Sequence, residues 1–544
     1  MRHAMLFVML VTAATLLVAQ DSGPSEPTDT EILIPELLLE VEELTVEQVD
    51  ALLPAEGDLA LGEIQLPQPR AEDLTIDDSA FEVRPPLQTT SGGATSGSVF
   101  SSGRLGAGSV HHVLGELSLF KLGESPRFRL EFAHEGLDGY QFNEAGTGYF
   151  DYTNVVQGWL QRTNDTTSLD VTGSFEERAE GMQGQSAYYS VGTRETSALT
   201  EFDWSPDPLV VLSGNLDATV TSRILSASGT GPVPREQEYT LTPEIGVRAS
   251  ISALDLLAKS SYMLRFLAAG EIPIHQDIDL MAGFDLTLPS SLTVNGRAGI
   301  FYTFGDRLDY PWSLSIQAVL GEAFETSLTG GYTVRRYRLA DLWSETMLLA
   351  PGDSDGTSDL VNNRIWYGEF DGRWSWAGGF TLGGEVRFSS ESAAIDIEGF
   401  DGATANYSFV QRPGNFLTTV GRIGWQPSPQ FQVQAAWTGS FIDLVTGVPA
   451  NGVEGSIQVS DSSQRFEGTV EVKTAFYPNP VLPLLGVTGA FNASEGVEFV
   501  LEVDDILSPF LTTVGRPVIG SEVNADFPFI SPGLRASLYA QISL

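Results

Sequence analysis

At 544 residues with no cysteine and a formal net charge of −42, the chain excludes a disulfide framework, thiol catalysis and cysteine-ligated metal. Its acidity also argues against nucleic acid, whose phosphates need a basic surface. Hydropathy averages to zero although 10% of residues are aromatic and 56 are Gly, a mixture expected of strands with one apolar and one polar face.

In chain order, Arg2 and His3 precede an apolar stretch from Ala4 to Ala19. It is too short for a stable transmembrane anchor and reads as a signal peptide over 1–20, cleaved near Ala19 or Gln20. No cysteine follows, so a lipoprotein anchor is not expected. Past the leader no run of about eighteen apolar residues occurs, so any membrane crossing must be made by strands.

Residues 21–90 form a separate segment. Between 21 and 83 there are 18 acidic side chains and a single basic one, Arg70, which marks a tail with its own role. Thr45 and Gln48 resemble a capping box opening a two-turn helix that Pro54 stops. Nothing in the tail is long enough to build a core. Three readings stay open: a solvated acidic spacer, a segment folded back into a lumen, or a docking segment for a periplasmic protein. The last would use Ile34, Leu37, Leu38, Val41, Leu44, Leu52 and Leu53 in strand addition or groove docking.

From about residue 91 to 544 the chain alternates with period two. Ile278, Leu280, Ala282, Phe284, Leu286 and Leu288 face one way, against Asp277, Asp279, Met281, Gly283, Asp285 and Thr287. Phe380 to Phe388 repeats the pattern, with Glu385 and Arg387 on the polar side. At the C-terminus, Leu534, Ala536, Leu538, Ala540, Ile542 and Leu544 oppose Arg535, Ser537, Tyr539, Gln541 and Ser543. Alternation alone does not say which face meets the core. The leader and the number of strands decide for hydrocarbon outside and a wet lumen inside.

Short turns recur at Glu124 to Pro126, Thr163 to Thr166, Ser205 to Pro208, Pro289 to Ser291, Ala377 to Gly379, Pro427 to Pro429 and Ala493 to Gly496, with less distinct ones near Ser252, Phe324 and Ser462. Longer segments such as Asp341 to Val361 and Ser392 to Pro413 lie between them. Trp204, Trp376 and Trp425 each sit within two residues of a short turn, where an interfacial aromatic girdle belongs. The fold class is therefore all-β: a transmembrane antiparallel β-barrel of about 22 strands, within roughly 16 to 22, beginning near Gly97 and preceded by a short acidic periplasmic tail.

The C-terminal region carries a family resemblance. Ala490 through Phe510, then Phe527 through Leu544, with Asp505-Ile506-Leu507 at the turn into a loop and Pro532-Gly533-Leu534 leading into the last strand, resembles the closing strand pair of TonB-dependent receptors. Leu544 stands where that family has a terminal aromatic. The match covers about the last 55 residues. It implies a related outer-membrane barrel. The family also carries an N-terminal plug domain, for which residues 21–90 are too few, and no TonB box is recognisable. A barrel this wide needs something to fill or cover it.

Sites of chemistry are sparse. His111 and His112 are adjacent and so point to opposite faces of a strand, while His134 and His275 stand alone, and no metal cluster or cofactor is expected. Asp353 to Asp359 resembles a calcium loop only superficially, because its Gly falls too early and no bidentate Glu follows. No serine elbow or acid/base pair indicates an enzyme. Lumen or constriction candidates are Asp277, Asp279, Asp285, Glu385, Arg387, Arg336 and Arg338. The two arginines would line a constriction, meet anionic lipid head groups, or sit at a solvated loop base.

Two functions fit these features. One is solute uptake or passage through the barrel, as a partner-gated receptor or as a porin whose acidic lumen favours cations. The other is an outer-membrane anchor whose tail docks a periplasmic protein. Both imply outer-membrane lipid and the barrel-assembly machinery for insertion as partners.

Overall fold

The computed structural model describes residues 99–543, apart from 122, 124, 141–142, 228–232, 268–273, 289–290, 322, 346, 350–359, 444–448, 464, 477–482 and 509–528. The expected signal peptide over 1–20, the acidic segment with Ile34, Leu37, Leu38, Val41, Leu44, Leu52 and Leu53, the Asp353 to Asp359 segment and Leu544 lie outside the described residues.

All strands join one antiparallel sheet that closes on itself. The first strand, Val99–Gly108, pairs with the second, Val113–Lys121. It also pairs with the last, Arg535–Ser543, in register from Ser102 opposite Ser543 to Gly108 opposite Ser537. Of 23 strand segments, Leu308–Asp309 is a two-residue piece laid on Leu292–Thr303, which leaves a barrel of 22 crossing strands. Closure leaves no free sheet edge along the ring, as a sheet placed in hydrocarbon requires.

The two faces of the wall differ as the alternation predicts. Leu280 is 44% exposed on the outside while its neighbour Asp277 is 2% exposed on the inside. Leu105, Ile245, Leu328, Ile423 and Leu538 stand out in the same way around the ring. A band of bare aliphatic side chains on a closed sheet is stable only against hydrocarbon. The terminal strand keeps its predicted faces, with Leu534, Leu538 and Ile542 exposed outside and Ser537 and Tyr539 buried inside.

The two ends of the barrel are unequal. Every short turn read from the sequence joins two strands at one end, and there the aromatics make a contact chain: Trp374 to Trp376 at 5.1 Å, Trp376 to Phe380 at 6.1 Å, Phe380 to Trp425 at 5.6 Å and Trp425 to Phe431 at 5.8 Å. At the other end the strands run far past the roughly 9–11 residues that cross a bilayer. Ser392 to Pro413, read as a loop, is instead a tall hairpin of Phe380–Asp401 (22 residues) and Asn406–Ser428 (23 residues). Its alternation continues beyond the bilayer because Ile395, Ile397, Phe400 and Phe409 pack on a core built at that end.

That core belongs to the loops. Met182, Val191 and Leu225 from one part of the wall meet Tyr337, Leu339, Leu342, Trp343, Leu348 and Leu349 from the connection after Phe324–Arg335, together with Tyr407 and Phe529. A helix, Leu339–Glu345, forms within this connection. Leu339, Leu342 and Trp343 fall on one helical face, and Asp341 sits in the first turn, where the helix dipole favours an acid.

Candidate functional site at the long-loop mouth

The polar contacts that seat the helix come from the inner wall. Arg336 follows the end of its strand, stacks over the Phe301 ring at 4.7 Å and places Nε 3.5 Å from Asp277 Oδ2. Asp277 also accepts the Thr303 hydroxyl at 2.6 Å. Two residues on, Arg338 holds Asp341 through Nη2 at 2.8 Å. The backbone N–H of Leu339, a first-turn donor with no helical partner, donates to both carboxylate oxygens of Glu238 at 3.1 Å. Arg265, 3.8 Å from Glu238, donates to the carbonyl of Tyr337.

Further contacts span the mouth. Arg223, fully buried, donates through Nη2 to the Ala405 carbonyl at 2.9 Å and to the Asn406 side chain. These two residues belong to the tip of the tall hairpin, whose strands are not neighbours of Val210–Ala227 in the ring. Gln183 pairs its amide with the backbone of Ile530 in both directions at 2.9 Å. Asn363, also fully buried, donates to the Tyr337 hydroxyl at 3.1 Å and to Glu391 at 2.6 Å, and accepts from Ala393 N at 3.0 Å. Paired in this way, charges that would be costly to bury alone fix one seat for the loop.

The structure thus brings Asp277 and Arg336 together, with Asp279 next along the same inner face and within electrostatic reach of Arg336. Arg336 and Arg338 leave the strand, which ends at Arg335, and both are held by carboxylates. The Arg336 side chain is largely buried, whereas that of Arg338 keeps 36% of its surface exposed beside Asp341. Asp285, Glu385 and Arg387 lie elsewhere. Asp285 takes Arg297 at 2.6 Å and Glu385 takes Arg422 at 3.2 Å, both near the short-turn end, while Arg387 is exposed on the inner wall.

Sequence reasoning missed Arg223, Glu238, Arg265 and Asn363. The available signal was a cation in inner-face phase beside Thr219 and Thr221, or beside Ser261 and Met263, near a strand end. It also misplaced His112. The pair His111 and His112 lies in the tight turn between the first two strands, where Val110 and His111 have positive φ, and not along a strand. His112 is buried, with Nδ1 2.6 Å from the Ser537 hydroxyl and Nε2 3.0 Å from Glu135. Ser537 is itself only 3% exposed, so this trio fastens the barrel seam and presents no open nucleophile.

A second feature lies inside the wall by the seam. A cavity of about 530 Å³ is lined by residues that include Glu135, Asp151, Glu471, Lys473, Asp504 and Arg535. Arg535 is held by Asp504 at 2.6 Å and Glu135 at 3.1 Å. Above it, the Tyr140 hydroxyl donates to Asp151 at 2.6 Å. Burial, then the Asp151 charge, push this phenol far above its ordinary range, so it remains a donor. Among the described residues no group of three or more His, Asp or Glu side chains is placed to hold a metal ion.

The fold is that of 22-stranded outer-membrane receptors. Similar solved structures include a variant of the ferric enterobactin receptor PfeA from Pseudomonas aeruginosa, with a TM-score of 0.62 at 11% identity over 83% of this chain and 81% of that one. The copper transporter OprC gives 0.64 at 9% identity over 82% and 80%. The FrpB iron transporter from Neisseria meningitidis gives 0.62 at 9% identity over 83% and 82%. No protein-family model matches the chain, and no curated protein matches it by sequence.

Proposed function

We propose that this protein carries a small solute across the bacterial outer membrane, as a barrel resembling that of TonB-dependent receptors but without their plug domain. The long-loop end faces outward and residues 21–90 face the periplasm after signal-peptide removal. The observation that carries this reading is a closed wall with an apolar outer face and a charged inner face, whose mouth is covered by its own loops. A ring of 22 strands encloses more space than side chains fill. A scaffold would have no use for charges lining it. Siderophore and metal receptors share the architecture, which supports a small-molecule cargo.

A second reading rests on the tail, whose 18 acidic side chains between 21 and 83 accompany the apolar candidates Ile34, Leu37, Leu38, Val41, Leu44, Leu52 and Leu53. Here the barrel anchors a docking segment for a periplasmic protein. Planar-bilayer recordings of the full chain and of a variant lacking 21–90, made in both cases with lowered pH or denaturant pulses to loosen the mouth, separate the two. Conductance in either form supports passage. A sealed barrel in both forms, together with capture of a periplasmic protein by the tail, supports the anchor and removes the transport reading.

A further inference from the structure

The passage reading leaves open what closes the pore, and the mouth contacts answer it. The described residues of 337–349, all but 346, are tied down at several independent points. Before the helix, Arg336 is held by Asp277 at 3.5 Å and by the Phe301 ring. At the helix start, the Leu339 N–H is held by Glu238 and the Tyr337 carbonyl by Arg265. Past the helix, the Leu349 carbonyl accepts from Trp343 Nε1 at 2.8 Å, and Leu349 bridges to Tyr407 on the tall hairpin. Asn363 stands as a fixed post where the chain re-enters the wall.

The character of these ties matters. Trp343, Leu339 and Leu349 are at most 2% exposed, so the segment is seated on an apolar bed, which a shift of any size would uncover. The bed alone does not set one position, because apolar contact is non-directional. The Arg336, Glu238 and Arg265 contacts do set one, and all three wall groups involved (Asp277, Glu238 and Arg265) lie on the neighbouring strands from Val233–Ile251 to Ile274–Leu288. The segment is therefore latched along one side of the ring and rests against the tall hairpin on another. That is the layout of a strap with one fastened edge.

We infer that residues 337–349 are a lid, latched shut by Arg336 on Asp277 and by Glu238 on Leu339, and that unfastening this latch is the step that opens the barrel to the outside. The inference rests on the passage reading. It assigns the outer closure of this pore to a loop of the barrel itself.

The test uses the full-length protein reconstituted in planar bilayers. Asp277→Ala combined with Glu238→Ala removes both wall acids of the latch, and the time spent conducting is expected to rise about tenfold or more over the parent. Because the chain has no cysteine, Leu349→Cys with Tyr407→Cys introduces the only possible disulfide. Oxidised, this variant is expected to stay closed even when combined with the latch substitutions, and reduction is expected to release it. Folding of each variant is read from heat-modifiable gel mobility. A latch variant that folds and conducts like the parent, with the cysteine pair indifferent to reduction, overturns the lid. Replacing 337–349 by a short Gly-Ser linker tells the two failures apart. If this variant conducts while the latch variants do not, passage stands and the latch is wrong; if it stays sealed both in the full chain and in a form lacking 21–90, the passage reading has failed.

Discussion

His112 Nδ1 lies 2.6 Å from the hydroxyl of Ser537, which joins the turn after the first strand to the strand that ends the chain. The other ring nitrogen reaches Glu135 on the third strand, and Arg535 approaches the same carboxylate at 3.1 Å. A barrel's weakest line is the seam between its ends, where closure must join residues far apart in sequence. This contact fastens it where the register pairing ends, at Gly108 opposite Ser537.

Replacing His112 with Ala should leave the buried Ser537 hydroxyl without this partner and destabilise the barrel by about 1–3 kcal/mol. His111→Ala is the control, because its ring bonds only the Asp138 carbonyl at 3.2 Å in an exposed position. Urea unfolding of both variants in lipid vesicles measures the difference. Equal midpoints would show that the seam does not depend on the ring.

Gly108 makes a related prediction. A Cβ there would stand 2.4 Å from the Ala536 carbonyl oxygen and 2.6 Å from the Ser537 hydroxyl, closer than real contacts allow. Since the obstruction is backbone of the closing strand, it cannot rotate away. Gly108→Ala should therefore cost about 1–3 kcal/mol and slow closure, seen as persistence of the unfolded band during refolding. Gly103→Ala, whose nearest obstruction is at 3.5 Å, should refold like the parent.

The wall was legible in the sequence because the bilayer imposes one rule on every crossing strand. Hydrocarbon on one side and water on the other write period two into the residues, as at Ile278 to Leu288, and the short turns at Pro289, Gly378 and Pro427 stand out against it. The cap over the mouth obeys no such rule. Leu339, Leu342, Trp343 and Phe529 are each ordinary apolar residues in segments without a long repeat, and they join a core only when segments as far apart as Met182 and Phe529 meet. His112 was obscured for a similar reason. Its partners are at positions 135 and 537, and local reasoning placed it on a strand although the chain turns there.

Lipid exposure gives a direct test of which face is which. Leu538 is 56% exposed midway along the last strand, a position where an arginine would be harmless on a water-soluble sheet. Facing the bilayer, Leu538→Arg should cost about 2–4 kcal/mol in vesicle-folding equilibria, whereas Gln541→Arg, on the inner face, should cost little. A reversed order of the two would mean that the faces of this strand are exchanged.

The rim at the long-loop end should loosen in acid through Asp309. This carboxylate lies in the connection between Leu292–Thr303 and Trp312–Leu320. There it accepts the Tyr332 hydroxyl at 2.7 Å and Arg307 at 2.9 Å, and pairs with Arg364 at 3.0 Å. Burial alone would raise its pKa, but the bonds from Tyr332 and Arg307 and the Arg364 charge outweigh it and hold the group below its ordinary value. A carboxyl with a depressed native pKa stabilises fully above its unfolded value and loses that contribution as pH falls through the native one. Protection of the amides in residues 304–311, taken relative to their intrinsic exchange rate at each pH, should therefore be high at neutral pH and fall below about pH 4. Asp309→Asn should show low protection already at pH 7 and little further change in acid. If parent and variant respond to acid alike, the rim is held by other contacts.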